Sequence, residues 1–169
     1  NASSDRELRI ENVFVSEKDD EGEQMIKRQL RDREVSSNGI CNLEQYGHGQ
    51  VKRGTLIDIL GNYNAAEIFY TFSIQALISY LPQSDRPTLS ARLAQFGVGG
   101  ADLDNLDSIL NKKEWLGAAE RTVFDAFQGV GAFTSPFSIH NPNGWRYWMI
   151  HFAGNYRARQ VYNDVLHRN

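Results

Sequence analysis

A chain of 169 residues, 41% hydrophobic and 23% charged, has the make-up of one globular domain that buries about two-thirds of its unfolded surface. Its net charge of −3 gives no overall positive field to recruit nucleic acid, and the single cysteine, Cys41, excludes an intrachain disulfide and every multi-cysteine zinc pattern, so no metal is expected. No apolar run reaches the roughly 20 residues that span a bilayer and no basic-then-apolar signal opens the chain, so a cytoplasmic, reducing location is expected, with Cys41 an inert buried thiol.

The opening Asn-Ala, without Met, reads as a cleaved tag remnant. Residues 1–9 are taken as that remnant and a disordered start, and residues 10–169 as a single α/β domain. "IENVFVSEKDDEGEQMIKRQLRD" predicts a strand at Val13 to Ser16, an acidic corner, and a helix with Met25, Ile26 and Leu30 at helical spacing. Acidic residues in the first turn of that helix suit the positive end of its dipole. "ICNLEQYG" predicts a second buried strand, followed by a helix N-capped by Thr55 with Leu56, Ile59 and Leu60 on its apolar stripe. "AAEIFYTF" reads as a central strand of a parallel sheet, apolar on both faces. Ser73 is expected to cap the helix carrying Ile74, Leu77, Ile78 and Leu81, which Pro82 ends.

Residues 83–112, punctuated by Pro87, Gly97, Gly99 and Gly100, predict a helical insertion over one sheet edge. A longer helix is expected from Trp115 to Phe127, with Leu116, Ala119, Val123 and Phe127 inward and Gly129 and Gly131 closing it. "FTSPFSIH" and "WRYWMIHF", joined by "NPNG", predict an antiparallel hairpin. A last helix, Tyr156 to His167, should bury Ala158, Val161, Tyr162 and Val165.

Successive β-α units imply right-handed crossovers and a parallel sheet. A parallel series finished by an antiparallel hairpin is a Rossmann-like order, that of the second half of the class I S-adenosylmethionine-dependent methyltransferase sheet. The analogy is one of fold and does not establish function. No Gly-rich turn precedes the Glu17 strand, where the backbone of such a domain approaches the methionine part of the cofactor. Between Arg33 and Ile40 there is no room for another strand with its connections. The expectation is either a domain incomplete at the N-terminus or a sequence in which intervening residues have been joined over.

"NLEQYGHGQVKRGTLIDI", "AEIFYTFSIQALISYL", "TSPFSIH" and "YWMIHFAGNYRARQVYNDV" together resemble the three-Cys-motif partner family (TcmP), from about Asn12 to about His167. The family's N-L-D-Q is matched with Glu44 in place of Asp, its E-v-f-y-T-F by the second block, and its I-H-(F/L)-S-x-x-x-x-A-R by Ile150, His151, Phe152, Ala158 and Arg159. "FVSEKDDE" is similar to its F-V-E-K-D-x-E segment. The resemblance implies a methyltransferase-like fold and a protein partner, a three-cysteine neighbour that looks like a radical S-adenosylmethionine enzyme; S-adenosylmethionine is the cofactor that the fold analogy points to.

The candidate site residues stand at strand ends, where ligands gather in open α/β sheets. Glu17 is placed to accept both ribose hydroxyl hydrogen bonds of a nucleotide-type cofactor; the alternative is a solvated acidic helix start. Glu44 and Tyr46 are the candidate catalytic residues, with Gln45 and His48 toward substrate. "EQYG" keeps the acceptor and aromatic of an amino-group methyltransferase motif but lacks its prolines, so a plain strand-end turn freed by Gly47 and Gly49 is the simpler expectation. His140 and His151 lie on paired strands and could meet, although without further ligands a packed, hydrogen-bonded His151 is the simpler expectation. Arg146, Arg157 and Arg159 with Trp145, Tyr147 and Trp148 could form a base-stacking surface, which core aromatics and exposed arginines explain more simply. Two functions follow: a methyltransferase-like enzyme acting on nucleic acid, or a non-catalytic module that binds the three-cysteine partner. If the chain is complete, its exposed sheet edges should also drive homo-oligomer formation.

Overall fold

A computed structural model describes residues 39–44, 51–62, 66–73, 86–143 and 146–168, with Gln24 and Leu77. The Val13 to Ser16 strand and the Met25 to Leu30 stripe lie outside these residues. In chain order the described elements are β1 (Gly39–Leu43), α1 (Arg53–Asn62), β2 (Ala66–Ser73), α2 (Arg86–Leu93), a single 3-10 turn (Ala94–Phe96), α3 (Gly100–Ser108), α4 (Trp115–Phe127), β3 (Phe133–His140), β4 (Arg146–Ala153) and α5 (Tyr156–Leu166).

The strands form one mixed sheet in the order β1-β2-β4-β3. β1 and β2 are parallel, with Cys41 opposite Ile68. β4 runs antiparallel to both its neighbours, placing His151 between Phe69 on one side and Ser135 on the other. The expected hairpin is therefore present, and its second strand, not its first, joins the parallel pair.

Alternation along β2 sets the two faces of the sheet. Ala66, Ile68, Tyr70 and Phe72 are buried on one face, together with Ile150, Phe152 and Trp148 of β4. Against them packs α4, which buries Ala119, Val123 and Phe127 as expected, whereas Leu116 is only half-buried and Trp115 takes the inward place in the first turn. Phe127 is the hub: its ring lies 5.2 Å from Tyr70, 5.7 Å from Phe152 and 4.6 Å from Phe96. The opposite face of β2 carries Glu67, Phe69 and Thr71, all half-buried, so the strand is not apolar on both sides as its composition suggested.

Residues 86–108 do not sit apart from this core. Leu89, Leu93, Phe96, Val98, Leu103 and Leu106 belong to the same buried cluster as Phe72 and Phe127. Several of them line with those rings a void of only about 10 Å³, too small to weaken the contact. Arg86 ties α2 to α3 through Asp104 and Asp107, and the Asp102 carboxylate accepts the Gly99 N–H at 2.8 Å to start α3.

One expected cap moves. α1 starts at Arg53, with the Thr55 and Leu56 amides donating back to Lys52, so Thr55 is a buried first-turn residue and not the N-cap. Ser73 ends β2 as a buried residue, and the start of the helix it is expected to cap lies outside the described residues; Leu77 is helical and buried, as expected of that segment. At the other end of the chain, Asn155 caps α5, its Oδ1 accepting the Ala158 N–H at 2.9 Å. α5 buries Ala158 and Tyr162 but leaves Val161 55% and Val165 65% exposed. The four residues span more of the helix surface than the sheet covers, so the inward strip is narrower than the apolar stripe.

Candidate functional site

Glu44 follows directly on β1, exposed at the C-terminal end of that strand. This is the position the strand-end argument requires. Glu17, Gln45, Tyr46 and His48 lie outside the described residues. One exposed carboxylate is not by itself a nucleoside cradle, and the other candidate contacts belong to residues outside those described. Among the described residues no three His, Cys, Asp or Glu side chains gather as a metal site, and no helix is long and apolar enough to cross a membrane.

The structure also brings together a group of residues on the half-buried face of the sheet. His151 is fully buried, and its Nε2 lies 2.9 Å from the Glu67 carboxylate. A carboxylate only accepts, so Nε2 is the donor in this hydrogen bond. Tyr162 of α5 stacks on the ring at 4.3 Å and Phe69 lies 4.9 Å from it, the two aromatic rings being 6.0 Å from each other. Among the described residues, His151 Nδ1 and the Tyr162 hydroxyl are buried without a hydrogen-bond partner. Burial raises the Tyr162 pKa above its ordinary value of 10.0, so the phenol stays neutral.

His151 Nδ1 is buried, which denies it to a diffusing substrate. Glu67 is more open, its side chain 28% exposed. The group joins the first half of β2, the second half of β4 and α5, and its chemistry is that of a polar anchor: one oriented hydrogen bond on which the last helix stacks. It also lies toward the start of β2, away from the strand end that carries Glu44.

His140 and His151 do not meet. His140 pairs with Arg146 and His151 with Ser135, five positions along β3, and an odd spacing puts the two imidazoles on opposite faces of the sheet. The arginine surface is likewise divided. Trp148 is buried against Phe72, their rings stacked at 5.9 Å, and Arg159 lies over Phe133 at the far end of the hairpin from Arg146. Seven strand positions separate those ends, about 24 Å.

Comparison with protein-family models, curated proteins and solved structures finds no match. The family resemblance therefore stands on its quoted residues. Two of them now have a physical relation, since Glu67 comes from "AEIFYTF" and His151 from "YWMIHF", and they share the 2.9 Å hydrogen bond. Periodicity identified His151 as a packed, bonded residue. It missed Glu67, although a lone acid inside an apolar strand run was the available signal.

Proposed function

We propose that this chain is a three-Cys-motif partner-like protein of methyltransferase-like fold, taking S-adenosylmethionine beside the C-terminal end of β1 and acting on nucleic acid. In this reading Glu17 holds the cofactor ribose, Glu44 and Tyr46 serve catalysis, and Gln45 and His48 contact substrate. The observation that carries it is the sheet: a parallel pair extended by a reversed hairpin, in the order β1-β2-β4-β3, as in the closing half of a methyltransferase sheet. Glu44 at the end of β1 is consistent with it. Calorimetry of the full-length protein with S-adenosylmethionine tests the reading. Saturable heat that S-adenosylhomocysteine competes away supports it, and no heat or competition at millimolar cofactor removes it.

A second reading, a non-catalytic module for the three-cysteine partner, is favoured by the apolar flank of α5, where Val161 and Val165 stand one helical turn apart and exposed. Co-purification with that neighbour, lost in a folded Val161→Ser, Val165→Ser variant, would support it. Retained co-purification would argue against this flank as the contact.

A further inference from the structure

A groove of about 660 Å³ opens between α4 and the β3–β4 hairpin, on the core side of the sheet and away from both Glu44 and the Glu67–His151 pair. That volume lies within the range of small-ligand sites. The Trp148 Nε1 donates to Ser138 Oγ at 3.0 Å and to Glu120 Oε1 at 3.2 Å, and Ser138 Oγ donates to the same Oε1 at 3.1 Å. One indole N–H needs one acceptor, and the serine supplies the shorter contact. The carboxylate is thus not required to satisfy the tryptophan; it is held in a fixed orientation by two donors, both on Oε1, leaving Oε2 uncommitted by either bond.

The hydrogen-bonding character of the groove follows. The Trp148 indole and the Ser138 hydroxyl are engaged with each other and with Glu120. Glu120 and Asp125 outweigh Arg121 by one negative charge among the residues lining it. Phe124 and Pro136 add apolar wall. An anion would meet two carboxylates here, whereas a cation finds a preorganised acceptor and a surface for its stem.

We infer that this groove binds a small organic ammonium ion, with the charged nitrogen on Glu120 and the apolar stem against Phe124 and Pro136. The inference goes beyond the proposed function and does not depend on cofactor binding. The test is titration of the ¹⁵N-labelled protein with n-butylammonium chloride, following the Trp148 indole N–H signal assigned by its loss in Trp148→Phe. Sodium chloride at matched ionic strength and butan-1-ol are the controls. The expected result is a saturable shift with half-saturation at about 1–10 mM, weakened about tenfold or more in Glu120→Gln and absent with butan-1-ol. An unchanged urea midpoint for Glu120→Gln shows that the fold is intact. No saturable shift, or an equal response from Glu120→Gln or to the alcohol, overturns the inference.

Discussion

Glu67 is the one charged residue in β2, and His151 gives it a reason to be there. A buried imidazole N–H left without an acceptor costs about 1–3 kcal/mol. Glu67→Ala should therefore lower stability by about 1–3 kcal/mol. Glu67→Gln, whose amide oxygen still accepts, should lose clearly less; urea unfolding of both variants measures the difference. Tyr162 presents the opposite case, a buried hydroxyl with no partner among the described residues. Tyr162→Phe removes an unpaid desolvation and should be neutral or stabilising by up to about 1 kcal/mol. The sign with pH follows from the raised pKa. The folded state holds the phenolic proton more tightly than the unfolded chain does, so this contribution is whole below pH 10.0 and is lost as pH rises through the folded value. Urea midpoints should fall more steeply above that pH in the unmodified protein than in Tyr162→Phe. At this scale the sequence disclosed that His151 packs, because it alternates with other core-type residues. It did not disclose the partner, because a charge 84 positions away becomes a neighbour only through strand register.

Among the elements, α4 and the hairpin were the most legible. The apolar spacing of α4 covers a single face, Gly129 in the left-handed region with φ 76° ends its run, and "NPNG" reverses the chain. α5 was legible as a helix but not in its orientation, since Ala158, Val161, Tyr162 and Val165 form a continuous apolar strip that the sheet covers only along one side. Thr55 has the chemistry of an N-cap, yet the helix begins two residues before it and the side chain is buried instead. Two glycines test these placements with opposite signs. A Cβ on Gly131 would stand 2.9 Å from Leu60 Cδ1 and 3.2 Å from the Ala153 carbonyl oxygen, one of them fixed backbone. Gly131→Ala should cost about 1–3 kcal/mol. Gly117, exposed within α4 with open space at its Cβ position, should gain about 0.5–1 kcal/mol on replacement by Ala. Urea midpoints of the two variants moving in the same direction would contradict the packing described.

At the scale of the molecule, the helices of residues 86–108 are part of the core and not an appendage. Removing residues 83–112 takes six buried apolar side chains with it. At about 2–5 kcal/mol for a truncated leucine, that loss equals or exceeds the roughly 5–15 kcal/mol by which a domain is stable. The deletion should abolish cooperative unfolding, seen as the absence of a sigmoidal urea transition, and partner contacts in this region are better probed by exposed point substitutions. The α/β character and the antiparallel ending were readable from turn residues and alternation. That the second hairpin strand lies inside the sheet was not, because strand order depends on pairings between distant residues that no local pattern records. The central claim concerns the end of β1, and hydrogen exchange of the full-length protein with and without millimolar S-adenosylmethionine tests it most directly. The account predicts slowed exchange at the amides of residues 43–50, with residues 133–140 unchanged. No slowing at residues 43–50 under saturating cofactor would contradict it.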